Sequence, residues 1–280
     1  MTIRIALPNK GSLAAAGSEF FAAAGFRQQM DGKDLVTLDP VNDVEFYYLR
    51  PRDIATYVGN GEIDLGVTGR DLLADSGSNA IEILDLEFGR SAMRFAAPVG
   101  STLKNVSDIA GKRIATSYPT LVRDHLEKLG VNATLVELEG AVESSISLGV
   151  ADLIADVVAT GSTLRQAGLA PLGNPIMESS AILIAREKAI GFDLLIRRLQ
   201  SVIFARQYVI MDYDVSGDDL KRACDVTPGF ESPTISPLQK SGWFAVRAMV
   251  PKAGMHQVMD RLYELGARGV LVTEIHSCRL

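Results

Sequence analysis

From Ile3 to Ala185, short apolar runs alternate with helix-like stretches, and few architectures accept that pattern. "IRIAL" (3–7) reads as a strand, and "SLAAAGSEFFAAAGF" (12–26) as a helix with Leu13, Phe20 and Phe21 available for its buried side. "VEFYYL" (44–49) is a strand, "DIATYVGNG" (53–61) a short helix ended by glycine, and "IDLGVTG" (63–69) another strand. A chain of this texture builds parallel or mixed sheets covered by helices. Such folds place their ligands where strands hand over to helices.

A second alternating block begins near Arg94. "RFAAPV" (94–99) and "KRIATSY" (112–118) are strands, followed by the helix "LVRDHLEKLG" (121–130). The strand "ATLVEL" (133–138), the helix "AVESSISLG" (141–149) and a strand-loop-helix over "ADVVATGSTLRQAGL" (155–169) come next. The apolar "AILIA" (181–185) is placed to return the chain to the first block, and "FDLLIRRLQSVIFARQY" (192–208) is a helix. From Tyr208 the texture changes. "YVIMDYDV" (208–215) is a strand, "DDLKRACDV" (218–226) a helix and "TPGFESPTISPL" (227–238) a Pro-rich loop. "WFAVRAMVP" (243–251), "MHQVMDRLYELG" (255–266) and "GVLVTEI" (269–275) then give strand, helix and strand. That order resembles a small ferredoxin-like sandwich. The expected division is therefore a first lobe of residues 1–91 with 180–207, a second of 92–179, and a C-terminal module of 208–280.

The 280 residues are 47% hydrophobic and 22% charged, enough to bury a core and too apolar for disorder. The formal net charge of −6 argues against a general nucleic-acid binder. Positive charge for any phosphorylated ligand must then be concentrated locally. Two cysteines, Cys224 and Cys278, give no disulfide framework and read as reduced thiols of a cytoplasmic protein. Pro8 and Lys10 come too early for a signal-peptide apolar region, and no apolar run is long enough to span a membrane. His125, His256 and His276 are scattered and form no zinc spacing.

Several strand-end loops carry polar residues that a core does not need. In "LPNKGSL" (7–13), Pro8 and Gly11 break the strand and Ser12 is placed to cap the next helix. Lys10 then lies at a positive helix end, suited to phosphate or carboxylate; the competing reading is a solvated lysine in a turn. The spacing is not that of a Walker P-loop. In "LRPRD" (49–53), Arg50 and Arg52 sit at a strand-to-helix turn fixed by Pro51. An arginine fork suits phosphate oxygens, while pairing of one arginine to a surface carboxylate is the alternative. In "VTGRDLL" (67–73), Asp71 is a ligand group or a helix-start carboxylate. In "ATSYP" (115–119), Tyr118 offers a flat face for a purine or simply packs beside Pro119.

The most specific loop is "DVVATGSTL" (156–164). Thr160, Gly161, Ser162 and Thr163 let the backbone turn tightly while hydroxyls and N–H groups point one way, as an anion site at a helix start requires. Its bland counterpart is a Thr N-cap on a glycine turn. Asp156 precedes the loop, and Glu143 lies upstream in "GAVESS" (140–145). A carboxylate beside an anion-binding turn repels phosphate, so it needs another purpose. It accepts hydrogen bonds from ribose hydroxyls, or shares a Mg²⁺ with phosphates. An acid followed by hydroxyl-Gly-hydroxyl therefore suits a sugar phosphate.

Together, "DVVATGSTL", "LPNKGSL", "LRPRDIATYVGNGEIDLGVTGRDLL", "GAVESSISLGVADLIADVV" and "ESPTI" resemble the ATP phosphoribosyltransferase family, in the family's order and across essentially the whole chain. Thr160 is a mild departure, where serine is commoner, and it keeps the hydroxyl. The resemblance implies an α/β fold: two lobes of the periplasmic-binding-protein type II kind around a catalytic cleft, plus an ACT-like regulatory domain. It implies a pentosyltransferase in which N1 of ATP attacks C1 of phosphoribosyl pyrophosphate and pyrophosphate leaves, at the start of histidine biosynthesis. It also implies Mg²⁺ as cofactor, histidine as feedback inhibitor, and a homo-oligomer between dimer and hexamer. On this resemblance Thr160, Gly161, Ser162, Thr163 and Leu164 hold the 5′-phosphate, with Asp156 and Glu143 on the ribose or its metal. Lys10, Gly11, Arg50, Asp71, Arg94 and Tyr118 serve ATP and pyrophosphate, Lys10, Glu143 and Asp156 being the catalytic candidates. The Mg²⁺ ligands stay open among Glu143, Asp156 and substrate oxygens. In the C-terminal module, Asp214, Phe230, Ser232, Thr234 and Gly269 are the candidate histidine contacts. A non-catalytic small-molecule binder and a phosphoribosyltransferase acting on another base are the rival readings.

Overall fold

The computed structural model describes residues 2–28, 35–187 and 191–279. The chain first lays down β1 (Ile3–Pro8), α1 (Ser12–Ala23), β2 (Val36–Asp39), β3 (Val44–Leu49), α2 (Pro51–Asn60), β4 (Leu65–Gly69), α3 (Arg70–Ser76) and β5 (Ile81–Asp85). It then builds β6 (Ser91–Pro98), β7 (Arg113–Thr116), α4 (Pro119–Leu129), β8 (Thr134–Glu137), α5 (Ser144–Ser147), β9 (Leu153–Val158), α6 (Ser162–Gln166) and β10 (Leu169–Ser179). β11 (Ala181–Ala185) returns to the first sheet, whose order is β2-β3-β1-β4-β11-β5. The second sheet runs β10-β6-β9-β7-β8. The chain thus crosses twice between two α/β sheets, the topology of a periplasmic-binding-protein-like pair of lobes.

Burial follows the sequence pattern. All five residues of β4 and all five of β11 are buried, as central strands covered on both faces require. β1 pairs in parallel with β3 and β4, so three neighbouring strands end on the same side of the first sheet. In the second sheet β7 pairs in parallel with β8 and β9. α2 begins with Pro51 in its first turn and stops at Gly61, whose φ of 87° lets its N–H reach back to the carbonyls of Tyr57 and Val58.

Within the two sheets the structure differs from the sequence expectation at four elements. β2 and β5 are short strands that the apolar pattern does not reveal. β10 contains Pro171, Gly173 and Pro175, which read as loop residues; it lies at a sheet edge and slips register between Leu172 and Met177, where missing N–H groups cost little. α5 spans only Ser144–Ser147, not 141–149. Ala141 has φ 48° and Gly149 φ 68°, and the Ser145 and Ser147 hydroxyls donate to the carbonyls of Val142 and Ser144.

The chain divides into two compact units, Met1–Ala22 with Phe26–Phe192 and Ala23–Gly25 with Asp193–Leu280. The second contains α7 (Asp193–Gln207), β12 (Tyr208–Ser216), α8 (Leu220–Val226), β13 (Thr234–Pro237), β14 (Trp243–Pro251), α9 (Met255–Glu264) and β15 (Arg268–Glu274). The expected boundary at 207 groups α7 with the first lobe, whereas α7 falls in the second unit and runs straight into β12. The strand order β13-β14-β12-β15, all antiparallel, is that of a ferredoxin-like sandwich. β13 emerges from the Pro-rich stretch expected to be loop, and it too is an edge strand.

Gly66 shows how tightly the first lobe is packed. A Cβ there would stand 2.5 Å from Ile54 Cγ2 and 2.9 Å from Val58 Cγ2, both on α2. Gly66→Ala is expected to destabilise the protein by about 1–3 kcal/mol through overpacking. Denaturant unfolding measures it; a loss within error of zero contradicts the packing described.

Candidate functional site

Three parallel strands of the first sheet deliver polar groups to one edge. β1 ends in Asn9, Lys10 and Gly11, and the N–H of Asn9 donates to the Leu49 carbonyl at 2.8 Å, tying this loop to the end of β3. Gly11 adopts φ 80°, and Lys10 is exposed beside it. Arg50, also exposed, follows β3 directly and stands at the N-cap position of α2. β4 runs into α3, whose second residue is Asp71. Asp71 is buried: its backbone N–H donates to Ser179 Oγ at 3.1 Å, and Ser179 Oγ donates back to its Oδ1 at 2.8 Å. A side chain on Gly69 would collide with that carboxylate, so glycine at 69 lets Asp71 fold back against the strand end.

The second sheet contributes the matching set. β9 carries Asp156 near its end and leads through Ala159 into the loop. Gly161 at φ 70° is the N-cap residue of α6 and brings no capping side chain; the Ser162 N–H donates to Thr160 Oγ1 at 3.4 Å, and the Thr160 and Ser162 hydroxyls lie 2.9 Å apart. The competing reading of a Thr N-cap thus holds only in part, since glycine takes the N-cap position and the loop's hydroxyls stay exposed; Leu164 is buried and anchors it. Tyr118 follows β7, and Glu143 immediately precedes α5 beyond β8. Arg94, in the middle of β6, is directly opposite Asp156 in the antiparallel register.

Electrostatics brings four of these residues together. Burial pushes the Tyr118 hydroxyl well above its ordinary range, and the carboxylates of Asp71 and Asp156 push the same way. Asp156 is itself raised above the usual carboxylate range, first by burial and further by Glu143 and Asp71; only a 2.8 Å hydrogen bond from the Val157 N–H opposes this. Tyr118 is thus linked electrostatically to Asp71 and Asp156, and Asp156 in turn to Glu143, across both sheets. Lys10, Gly11 and Arg50 lie at the same strand ends of the first sheet, outside that group. Among the described residues, no three His, Cys, Asp or Glu side chains converge as a metal cage does.

Sequence alone did not point to three further residues here, Asp75, Ser179 and Arg165. Arg52, for which pairing to a surface carboxylate was the alternative to holding phosphate, pairs with a carboxylate, but a buried one: it lies 2.6 Å from Asp75, whose side chain is only 4% exposed. Ser179 holds Asp71, and nothing in its local sequence marks it, since its partner is 108 residues away. Arg165 folds over the 160–164 loop, its Nη1 3.3 Å from where a Gly161 Cβ would stand. Its position just after the loop was the available signal.

In the C-terminal unit the candidate residues divide. Asp214, half-buried on β12, is paired with Arg268, next to Gly269 on β15. Thr234 lies on β13, at the opposite edge of the sheet. Phe230 is exposed in the α8–β13 connection and packs edge-on against Phe204, with ring centroids 5.6 Å apart; Ser232 is exposed in the same connection. One copy of this unit therefore does not gather all five.

Comparison with known proteins gives a consistent result. The family model "HisG: ATP phosphoribosyltransferase" matches residues 50–204, and "HisG, C-terminal domain" matches residues 205–277. An ATP phosphoribosyltransferase of Paenarthrobacter aurescens is 54% identical over 99% of this chain and 100% of its own length. That of Micrococcus luteus is 55% identical with the same coverage. Among solved structures, the ATP phosphoribosyl transferase (HisG:HisZ) complex from Thermotoga maritima aligns with a TM-score of 0.62 at 26% identity, covering 72% of this chain and 99% of that one.

The raised Asp156 has a consequence for stability. An acid whose folded pKa exceeds its unfolded value stabilises the fold while protonated, and loses that contribution as pH rises through the folded value. At neutral pH the ionised Asp156 is therefore a net cost, so Asp156→Asn is expected to raise the melting temperature at pH 7.5. The gain should shrink as pH falls into the ordinary carboxylate range near 4. Thermal melts of both proteins across pH 4–8 check this, and a gain that grows toward acid pH contradicts it.

Proposed function

Because the chain belongs to the ATP phosphoribosyltransferase family, a family of pentosyltransferases, we propose that the strand ends just described bind phosphoribosyl pyrophosphate on the second lobe and ATP against the first. The observation that carries this assignment is the run from Asp156 through Gly161 to Leu164, at the edge where Tyr118 and Asp71 also meet. The backbone N–H groups of Gly161, Ser162 and Thr163, with the exposed hydroxyls, suit a 5′-phosphate. Arg165 adds a cation over the same loop. Asp156 and Glu143 accept from ribose hydroxyls. Tyr118 offers its ring to the adenine, and Asp71 accepts from the exocyclic amino group. Lys10, Arg50 and Arg94 are left for the triphosphate and the departing pyrophosphate.

The chemistry needs no protein nucleophile. Adenine N1 supplies the electron pair for the new bond to C1; the C1–O bond breaks, and pyrophosphate leaves with that pair. Catalysis then rests on alignment and on fixed charges around an oxocarbenium-like centre. The ionised Asp156, held by burial in an unfavourable state, gains when positive charge develops on the sugar beside it. Asp156 and Glu143, whose charges act on each other, are hard oxygen donors of the number Mg²⁺ takes from protein when substrate phosphates complete its shell. Bound there, Mg²⁺ would neutralise charge on the pyrophosphate.

We further propose that the C-terminal unit binds histidine as a feedback inhibitor of a cytoplasmic homo-oligomer. Asp214 suits the ligand's ammonium and Gly269 permits close backbone approach. Because Thr234 lies on the opposite edge of the sheet, the site is completed by a second copy. Histidine must favour one arrangement of chains over another, since equal affinity shifts nothing.

Two measurements test these readings. With ATP, phosphoribosyl pyrophosphate and Mg²⁺, Asp156→Ala is expected to lose about 100-fold or more in turnover, the scale of a lost transition-state electrostatic contact, while its circular dichroism stays unchanged. Parental turnover by that variant overturns the sugar assignment. Asp214→Ala should raise the histidine concentration for half-inhibition about tenfold, the effect of about 1.4 kcal/mol, without changing uninhibited turnover. Unchanged inhibition removes Asp214 from the site.

A further inference from the structure

We propose that Arg52 and Asp75 form a positioning pair that sets the 115–119 loop, and with it Tyr118, against the first lobe. The inference rests on the adenine-side reading of Tyr118 and goes beyond it, because neither residue belongs to the proposed binding set.

The geometry begins with the spacing on α3. Asp71 and Asp75 are four residues apart, so both carboxylates leave one face of the helix. Asp71 meets Tyr118 from the second lobe. Asp75 meets the start of α4, accepting from the N–H groups of Thr120 at 2.9 Å and Leu121 at 3.1 Å, both on Oδ1. These are among the N–H groups that a helix start leaves without an internal partner. α4 has no cap of its own: its N-cap residue is Tyr118, which makes no side-chain cap hydrogen bond, and Pro119 follows. The capping carboxylate therefore comes from the other lobe, and it lies at the positive end of the α4 dipole.

Arg52 closes the arrangement. Its Nη1 donates to Asp75 Oδ2 at 2.6 Å and its Nη2 to the Ser117 carbonyl at 2.6 Å. Its guanidinium carbon stands 5.1 Å from the centroid of the Tyr118 ring. One planar fork thus holds the carboxylate, the peptide just before Tyr118 and the ring itself. Lysine, with a single point charge, cannot hold all three. The Asp75 carboxylate is satisfied on both oxygens. Half of Arg52 faces solvent, so its removal opens a path for water without emptying the core. The pair acts on where Tyr118 sits, with no direct role in bond making, so its loss should appear in ATP binding before it appears in chemistry.

The test uses the full chain. Arg52→Ala is expected to raise KM for ATP about tenfold while KM for phosphoribosyl pyrophosphate and kcat stay within about twofold. Arg52→Lys should fall between the two. Asp75→Ala is expected to speed hydrogen exchange at the Thr120 and Leu121 amides about tenfold relative to neighbouring helices. An Arg52→Ala variant with an unmoved ATP KM, or with both KM values and kcat changed equally alongside a lowered melting temperature, overturns the positioning role. So does unchanged exchange at Thr120 and Leu121. Turnover by the unsubstituted chain tests the functional reading separately. Should that reading fail, the exchange measurement and calorimetric titration of ATP into Arg52→Ala still decide the pair's role.

Discussion

The pairing of β11 with β4 is the interaction on which the rest of the first unit depends. The chain finishes its second sheet and only then returns to lay Ala181–Ala185 antiparallel to Leu65–Gly69. That return joins the two crossings between the lobes: the Leu86 N–H donates to the Ala181 carbonyl at 2.9 Å, and the Ala181 N–H to the Phe88 carbonyl at 2.8 Å. It also brings Ser179 and Ser180 against the start of α3. Ser179 grips Asp71, the Arg70 N–H donates to the Ser180 carbonyl at 3.1 Å, and the Arg70 guanidinium gathers Glu82, Asp85 and Ser180. A one-residue slip in β11 would exchange the side chains of its two buried faces and move the partner of Asp71 at the same time. Core register and site geometry are thus one constraint.

The electrostatics of the site follow from that rigidity. Asp71 and Asp156 act on Tyr118, and Glu143 and Asp71 on Asp156, in a partly buried space where like charges disfavour one another. Arg94 stands opposite Asp156 in register, yet the two form no ion pair among the described residues. A fold under no functional demand would relieve such a cluster. On the proposed function, keeping these carboxylates together without a cationic partner reserves negative potential for a cationic sugar centre or a cation, at the expense of the free protein's stability. The cationic groups stand instead at exposed positions, Lys10 in the β1–α1 loop, Arg50 at the N-cap of α2 and Arg165 on α6, where desolvation is small.

What the sequence discloses and what it hides follow from the range of the interactions involved. Long apolar runs announce central strands, so "VEFYYL" and "AILIA" coincide with β3 and β11 to the residue. Helix stops are equally local: Gly61 and Gly130, both in the left-handed region, end α2 and α4 where glycine predicts. The strand ends bearing Lys10, Arg50, Asp71, Tyr118 and Asp156 were legible because turn chemistry and polar residues coincide there. Edge strands were not. β10 and β13 carry prolines that only an edge tolerates, and being an edge is a property of the finished sheet. Ser179 and Asp75 were illegible for the same reason. Each looks like an ordinary polar residue until a partner tens of residues distant is brought to it.

The C-terminal unit carries this logic to its limit. Its sheet leaves two edges, β13 with Ile235 45% exposed and β15 with Leu271 64% exposed. Unpaired edges bearing apolar side chains are costly to leave in water and invite pairing with another chain. The candidate regulatory residues divide between those same edges, Thr234 on one and Gly269 on the other, with Asp214 inboard. A ligand that needs both groups can therefore be bound only where two edges from different copies approach. Under that arrangement ligand affinity and assembly are linked, because each chain contributes half of what the ligand contacts. On the regulatory reading proposed above, a small amino acid would thereby acquire leverage over the arrangement of whole chains that a pocket inside one sandwich would not give it.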